Sequence, residues 1–190
     1  LAGDSLGSLV EFRTAESIRA EYPGGVRNLA DGGPFHLLAG QPTDDSEMAL
    51  AMARRLVSVG RYCALRTAKS YRDWLKSGPF DCGTTIAQAL TGTSNPESQA
   101  NGALMRISPL GIFGAGRSRA DVMKWAKKDA AVTHAHPVCA QASALYAALV
   151  AQAVREGGSG SRLYEDMLAS MKRMKLDPVL REAVERAATE

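Results

Sequence analysis

The sequence is poor in cysteine. Its 190 residues include only three, Cys63, Cys82 and Cys139, which are far apart and form no Cys-x-x-Cys pair. Disulfide-stabilised secreted domains use even numbers of cysteines, and structural zinc sites use paired ones, so neither class is expected. The pattern indicates reduced thiols, and we expect a cytoplasmic protein.

Long apolar runs and blocks of basic residues are also absent. No stretch reaches the ~18 consecutive apolar residues of a transmembrane helix, and the N-terminus does not resemble a signal peptide. The 23 Lys and Arg residues and the 20 Asp and Glu residues are interspersed and leave a formal net charge of +3. We therefore expect neither a membrane nor a nucleic acid as partner, but a small-molecule or protein substrate. Because the first residue is not Met, we also expect the chain to continue an element that began earlier.

Sustained alternation of apolar and polar residues, the mark of a half-buried strand, does not occur. Apolar residues instead recur three and four positions apart, as at Met48, Met52 and Leu56. We predict an all-α fold, a compact orthogonal bundle of about eight or nine helices in a single domain over residues 1–190. The main predicted helices cover residues 14–22, 64–76, 84–90, 103–113 with an interruption near Pro109, 118–132, 137–155, 161–172 and 178–188.

Thr43, Asp44 and Asp45 lie at the junction between a predicted long loop, residues 23–43, and the helix that contains Met48. One interpretation is helix capping, because acidic residues at a helix N-terminus are favoured by about 0.3–1 kcal/mol. A single carboxylate is enough for that role. Two adjacent carboxylates repel each other, and with a hydroxyl beside them they suit a Mg²⁺ ion, which takes oxygen ligands and retains several waters. Both interpretations remain open on spacing alone.

Further segments place polar groups beside apolar ones. Asn101-Gly102 is predicted to open the buried helix near Pro109, where free backbone N–H groups either hold an anion such as phosphate or form an ordinary helix start. His134 and His136 are two positions apart, which does not place both on one helical face, so a zinc pair is not expected. Hydrogen bonding to a polar ligand, or helix capping, is the expected role of these histidines.

Five polar segments follow one another along the first 137 residues. They are Gly3-Asp4-Ser5-Leu6-Gly7 with Glu11-Phe12, Thr43-Asp44-Asp45-Ser46-Glu47-Met48, Asp81-Cys82-Gly83-Thr84-Thr85, Asn101-Gly102-Ala103-Leu104-Met105-Arg106 and Thr133-His134-Ala135-His136-Pro137. In order and spacing they resemble the motifs of the ADP-ribosylglycohydrolase family, and in particular its dinitrogenase reductase-activating type. The resemblance implies an all-α fold with a dinuclear Mg²⁺ centre. It also implies cleavage of the N-glycosidic bond between ADP-ribose and a modified side chain, usually arginine, of an ADP-ribosylated protein.

The resemblance also implies roles for individual residues. It makes Thr43, Asp44 and Asp45 metal ligands, with the two aspartates also catalytic. Glu11 corresponds to a catalytic acidic residue near the metals that can close over the substrate, and Asp4 is expected to support the loop below them. The residues expected to bind the substrate are Asp81 and Gly83, then Ser98, Asn101 and Gly102 for the distal ribose and phosphates, and His134 for the ADP-ribose pocket. His136 receives no role.

One family motif has no counterpart in this sequence. Similar family members carry a Gly-Asp-x-Asp-Thr/Ser run near their C-terminus that supplies further metal ligands, and no Asp-x-Asp follows His136 here. We expect the C-terminal part of the family fold to be missing, so that a further segment or a second chain completes the metal site. Two alternatives to a hydrolase follow: a non-catalytic pseudoenzyme that binds ADP-ribose, and an immunity protein that blocks an ADP-ribosyltransferase.

Overall fold

A computed structural model describes residues 1–187, and this part of the chain contains ten α-helices and one short 3₁₀ helix. Within it, the isolated bridge between Gly32 and Leu37 is the sole β interaction. The predicted all-α class is therefore confirmed. Residue 188, the end of the last predicted helix, lies outside the described residues. The chain groups into two compact units, an N-terminal unit, Leu1–Glu47, and a C-terminal unit, Met48–Glu190. The single domain remains a prediction.

The N-terminal unit contains α1 (Ala2–Gly7), α2 (Ala15–Glu21) and the first residues of α3 (Asp44–Val59). Thr14 caps α2 as its sequence predicts, because its Oγ1 accepts a hydrogen bond from the backbone N of Ser17. The predicted loop between α2 and α3 is confirmed, and it is not helical. Gly33 in this loop has a positive φ, and a Cβ there would collide with the backbone carbonyl of Ser8, so this position requires glycine.

The C-terminal unit is organised around one long helix. Its elements after α3 are α4 (Ala64–Lys76), α5 (Thr84–Thr91), the 3₁₀ helix Asn101–Ala103, α6 (Ser108–Phe113), α7 (Arg119–Ala130), α8 (Pro137–Glu156), α9 (Gly160–Met171) and α10 (Pro178–Arg186). α8 contacts α6, α7, α9 and α10, which confirms its predicted central position. The main core of this unit includes Met52, Tyr71, Ile107, Leu110 and Ala147, all fully buried.

α8 differs from the sequence expectation in one respect. By length and composition, this 20-residue helix is apolar enough to cross a membrane, although no such stretch was expected. Core helices share these properties, and α8 packs as a core helix. A Cβ on Gly111 of α6 would lie 2.6 Å from the carbonyl oxygen of Ala147, so the two helix backbones approach closely.

The prediction of a helix over residues 103–113 with an interruption near Pro109 is confirmed only for its second part. The 3₁₀ helix ends at Ala103, the backbone turns over residues 104–106, and α6 begins at Ser108 with Pro109 in its first turn. Proline is accommodated there because the first N–H groups of a helix have no intrahelical partner. The interruption therefore lies before Pro109, where the side chain of Arg106 is fully buried.

Candidate active site

The N-terminal unit fixes the start of α3 through Asp4. The Asp4 carboxylate accepts hydrogen bonds from Thr43 Oγ1 at 2.7 Å, from the Thr43 backbone N at 3.1 Å and from the Ser46 backbone N at 3.2 Å. Asp4 thus supports this junction, as the resemblance implies. Two backbone N–H groups at the helix start are thus satisfied by a residue of α1, and both interpretations of Asp44 and Asp45, helix capping and metal binding, stay predictions.

Two carboxyl groups in this unit have raised pKa values. Burial, followed by the charges of Asp44 and Asp4, raises the pKa of Asp45 to about 6. Burial also raises the pKa of Glu11, with added contributions from Asp44, Asp45 and Asp4. The structure therefore brings together Glu11, Asp44 and Asp45, the predicted catalytic residues, as an acidic cluster at the end of the loop.

The donor atoms of this cluster fit Mg²⁺ by their chemistry. Thr43 and Asp44 are 3% and 7% exposed, and with Asp45 they offer a hydroxyl and two carboxylates, all hard oxygen ligands. The Thr43 hydroxyl donates its proton to Asp4, which leaves its lone pairs available to a cation. Within residues 1–187, no three His, Cys, Asp or Glu side chains come together as a metal-binding group, so these oxygens form a partial donor set.

In the C-terminal unit, Ser98 is held from two sides. Its Oγ lies 2.8 Å from Thr85 Oγ1 on α5, and the Cys139 thiol on α8 donates to the carbonyl oxygens of Ser98 and Ala100, both at 3.6 Å. Gly83 precedes the first residue of α5. Ser98 and Gly83 therefore flank the same short helix, while Asp81 lies half-buried just before it.

Gly102 and His134 lie side by side. A Cβ on Gly102 would lie 2.9 Å from His134 Cε1 and 2.7 Å from Ile86 Cδ1, so only glycine admits the imidazole ring at this distance. Asn101 is exposed beside them and begins the 3₁₀ helix, not an α-helix. The predicted α-helix start is therefore wrong, while the anion site at Asn101-Gly102 stays a prediction; Asn101, Gly102 and His134 do lie close to one another in the fold.

His134 is buried and neutral. It is 1% exposed, its backbone N donates to the Ala130 carbonyl at 2.8 Å, and its Nδ1 lies 2.8 Å from Thr133 Oγ1. Burial, together with the charge of Arg106, lowers the pKa of His134 to about 4. His134 is thus suited to hydrogen bonding rather than to acid catalysis near neutral pH. His136 caps α8 by accepting from the Val138 backbone N at 3.2 Å, which is one of its expected roles.

A buried ion pair beneath these residues was not predicted. Arg106 and Asp129 are both fully buried, and Arg106 Nε lies 3.2 Å from Asp129 Oδ2. Arg106 Nη1 donates to the Gly102 carbonyl at 2.9 Å and to Thr133 Oγ1 at 2.8 Å. The sequence held one signal for it: Asp129 follows Val122 and Ala126 at helical spacing, which places it on the buried face of α7.

The Asp129 carboxylate has two further partners. Tyr71 Oη lies 3.2 Å from both of its oxygens, and Tyr62 Oη lies 3.5 Å from one. Burial raises the pKa of both tyrosines, so their hydroxyls remain protonated and donate. Burial also raises the pKa of Asp129, and Arg106 opposes that shift. The network is satisfied internally and links α4 and α7 to the segment that carries Gly102.

The chain resembles known proteins along its whole length. A family profile for ADP-ribosylglycohydrolase matches residues 1–190. The chain is 37% identical over 145 residues to the ADP-ribosyl-dinitrogen reductase glycohydrolase of Rhodospirillum rubrum, which covers 72% of this chain and 49% of that protein. It is 30% identical over 128 residues to the ADP-ribosylarginine hydrolase Tri1 of Serratia proteamaculans, which covers 58% of this chain and 33% of that protein.

A solved structure has the same fold. It is described as an ADP-ribosylglycohydrolase-related protein complex, and its TM-score is 0.79 at 27% sequence identity, over 97% of this chain and 62% of that chain. The match to the Rhodospirillum rubrum relative, reported above, shows that the chain spans about half of that protein's length. Because the profile covers all 190 residues and the helices superimpose on a solved structure of this kind, the chain belongs to the ADP-ribosylglycohydrolase family.

Proposed function

We propose that this chain forms part of a Mg²⁺-dependent hydrolase that removes ADP-ribose from modified protein side chains, most often arginine. The observation that carries the proposal is the acidic cluster, in which the charges of Asp44 and Asp45 raise the pKa of Glu11 and the charge of Asp44 raises the pKa of Asp45. The names of the relatives, which include an ADP-ribosylarginine hydrolase, support the reaction and do not favour a non-catalytic binder or an immunity protein. The free cysteines support the cytoplasmic location that we propose for it.

Thr43, Asp44 and Asp45 would hold the metal. Their crowded negative charge is destabilising without a cation, since burial and mutual repulsion raise the pKa of Asp45 to about 6. When bound, two Mg²⁺ ions supply a positive site that orients the ribose hydroxyls and makes a water easier to deprotonate. Further ligands would come from the Gly-Asp-x-Asp-Thr/Ser segment that the family carries.

The acidic residues divide the proton transfers between them. In the proposed reaction the bond from the ribose carbon to the arginine nitrogen breaks through an oxocarbenium-like state, and the oxygen of a water bonds to that carbon. Asp45 accepts the proton of this water. The arginine nitrogen leaves as a protonated group, so it needs an acid close by. Glu11 supplies this proton, because its raised pKa lets it hold one more readily than an exposed glutamate does.

The ADP-ribose part of the substrate would bind through the C-terminal unit. Ser98, Asn101 and Gly102 offer hydroxyl, amide and backbone groups from one short segment, and His134 lies against Gly102 as a neutral imidazole. Asp81 and Gly83 would contact the substrate from the start of α5. Neutral groups of this kind recognise sugar hydroxyls, phosphate oxygens and base nitrogens by hydrogen bonds.

The test is release of ADP-ribose from an arginine-ADP-ribosylated protein, with Mg²⁺ or with a chelator. The 190-residue chain is compared with the same chain joined to a Gly-Asp-x-Asp-Thr/Ser segment. We expect release that depends on Mg²⁺, and a far slower rate without the added segment, because three side chains and water hold two ions poorly. Asp44→Asn/Asp45→Asn should abolish release, while Glu16→Gln, which changes an exposed acid of the same unit, should not. Binding of ADP-ribose without release in any preparation would instead indicate a non-catalytic ADP-ribose binder.

A further inference from the structure

The Thr133 hydroxyl lies between Arg106 and His134. Arg106 Nη1 and Thr133 Oγ1 are 2.8 Å apart, and Thr133 Oγ1 and His134 Nδ1 are also 2.8 Å apart. A guanidinium only donates hydrogen bonds, so Thr133 Oγ1 must be the acceptor from Arg106. A hydroxyl oxygen has two lone pairs and can accept twice, but among the residues that the structure describes His134 Nδ1 is the one acceptor found for the Thr133 hydroxyl proton, so donation to Nδ1 is the arrangement that leaves this proton paired.

This direction determines where the imidazole carries its own proton. His134 is neutral near pH 7, because burial and the charge of Arg106 lower its pKa to about 4. A neutral imidazole has one N–H, and if Nδ1 accepts, the proton is on Nε2. Nε2 is buried and has no hydrogen-bond partner among the residues that the structure describes. The ring therefore offers a buried donor that no protein group uses.

Several contacts fix the position of the Arg106 side chain, so its guanidinium group stays the donor to Thr133. Its Nε lies 3.2 Å from Asp129 Oδ2, its Nη2 donates to the Asp129 carbonyl at 3.0 Å, and its guanidinium carbon lies 4.4 Å from the centre of the Tyr71 ring. The second proton of Nη1 goes to the Gly102 carbonyl at 2.9 Å. One side chain thus orients both Thr133 and the backbone of Gly102, against which the His134 ring packs.

We propose that Arg106, acting through Thr133, fixes His134 in the tautomer that is protonated on Nε2, so that the ring donates a hydrogen bond to an acceptor atom of bound ADP-ribose. The identity of the ligand rests on the proposed function, whereas the tautomer does not. Arg106 and Thr133 are positioning residues in this arrangement, and His134 is the residue that contacts the ligand. The buried donor favours a ligand that presents an oxygen or nitrogen acceptor at this point, because an apolar group would leave it unpaired.

The first experiment observes the tautomer directly. The histidines of the 190-residue chain are labelled with ¹⁵N, and a long-range ¹H–¹⁵N spectrum at pH 7 distinguishes protonated from unprotonated ring nitrogens. The His134 signals are assigned by their loss in His134→Asn. We expect an unprotonated Nδ1 and a protonated Nε2. A protonated Nδ1 in the wild-type chain would overturn the inference, and this measurement needs no variant of Thr133.

Substitutions then distinguish an effect of the hydrogen bonds from Arg106 to Thr133 and from Thr133 to His134, called the relay here, from an effect of side-chain packing. Thr133→Val keeps the shape of the side chain but removes the hydroxyl, so we expect the His134 signals to shift toward a mixture of tautomers. Thr133→Ser restores the hydroxyl and should restore the wild-type signals. Thr67→Val is the matched control, because Thr67 is also fully buried in this unit and its hydroxyl donates to the Cys63 carbonyl, far from this relay in the sequence. Unchanged His134 signals in folded Thr133→Val would contradict the relay.

The second experiment measures ADP-ribose affinity by calorimetry on the same proteins. We expect Thr133→Val to weaken binding about tenfold, which corresponds to about 1.4 kcal/mol, while Thr133→Ser and Thr67→Val stay near wild type. A changed tautomer with unchanged affinity would overturn the proposed contact with the ligand. A wild-type chain with the expected tautomer but no affinity for ADP-ribose would overturn both that contact and the proposed function. A protonated Nδ1 together with normal affinity would overturn the inference and leave the proposed function standing.

Discussion

Asp4 binds Thr43 through both of its carboxylate oxygens. Oδ1 accepts from Thr43 Oγ1 at 2.7 Å, and Oδ2 accepts from the Thr43 backbone N at 3.1 Å. The residue that supports the candidate metal ligands therefore comes from α1, and it receives the hydroxyl proton of Thr43. Asp4 would act on the proposed metal site through Thr43.

Asp4→Asn should weaken both the fold and the metal site. One oxygen of the carboxylate becomes an amide nitrogen, which only donates, so the side chain can no longer accept both from the Thr43 hydroxyl and from the two backbone N–H groups. We expect a loss of about 1–2 kcal/mol in the free energy of unfolding, typical of a lost helix cap, measured by urea denaturation. Calorimetry should also show weaker Mg²⁺ binding, with Glu16→Gln as the exposed control. Unchanged Mg²⁺ affinity would show that Asp4 supports the fold alone.

Removal of the two candidate ligands should abolish Mg²⁺ binding. Asp44→Ala/Asp45→Ala deletes both carboxylates and leaves only Thr43 of the predicted set, while it also relieves their mutual repulsion. We therefore expect the variant to fold and to lose affinity for Mg²⁺ in calorimetric titration, in a preparation that contains the Gly-Asp-x-Asp-Thr/Ser segment. If the variant bound Mg²⁺ as tightly as the unsubstituted protein does, the metal site would have to lie elsewhere.

Tyr71→Phe should destabilise the C-terminal unit without a change in its packing. The substitution removes the hydroxyl that donates to Asp129 and leaves a buried carboxylate with one partner fewer. A buried hydrogen bond to a charged group contributes about 1.5–3 kcal/mol, and we expect a loss in that range by chemical denaturation. Tyr146→Phe is the matched control, because the Tyr146 side chain is 44% exposed. Equal effects of the two substitutions would argue against the network.

Gly102→Ala should reduce the affinity for ADP-ribose. The added Cβ would lie 2.9 Å from His134 Cε1 and 2.7 Å from Ile86 Cδ1, so the imidazole ring must move. Gly116→Ala adds the same methyl group where nothing lies within 4 Å, and it should have little effect. Calorimetry with ADP-ribose compares the two variants. If Gly102→Ala bound like the wild type, the ring position would not matter for the ligand.

The neutral state of His134 predicts a pH dependence of stability. The pKa is about 4 in the folded chain and ordinarily 6.5, so the unfolded chain binds more protons between these values. The contribution of His134 is fully present above about pH 6.5 and is lost as the pH falls toward 4, by at most about 1.4 kcal/mol per pH unit. Unfolding free energies of the wild type and His134→Gln should therefore converge between pH 7 and pH 5. A difference that is constant with pH would contradict the buried neutral histidine.

Local features of the fold follow from short stretches of sequence. The bounds of α4 at Ala64 and Lys76 agree with the predicted ones, and Thr14 caps α2 as expected. These features depend on caps, proline, glycine and apolar spacing, all of which lie within a few residues. The acidic cluster was also predicted, although from the family motifs and not from spacing, which favoured helix capping over metal binding.

The buried network could not be predicted in the same way. Nothing near Arg106 indicates that its charge is buried, because its partner Asp129 lies 23 positions away and on another helix. Charged residues are normally exposed unless they are paired, and pairing is a property of the folded chain. The start of α6 was unpredictable for the same reason. Pro109 is compatible with a kink inside a helix or with the first turn of a new helix. In the structure it lies in a first turn, and the buried side chain of Arg106 precedes that turn.

The hydrogen bonds that Thr43 donates to Asp4 join residues 39 positions apart, so they close a long loop within the N-terminal unit. The entropy lost in closing a flexible loop grows only with the logarithm of its length, and doubling the length costs about 0.6 kcal/mol. Extra residues near the exposed Gly24 and Gly25 would therefore change the closure entropy little and leave the anchored ends in place. We expect this loop to tolerate insertions, which makes it a suitable position for a reporter peptide or a tag.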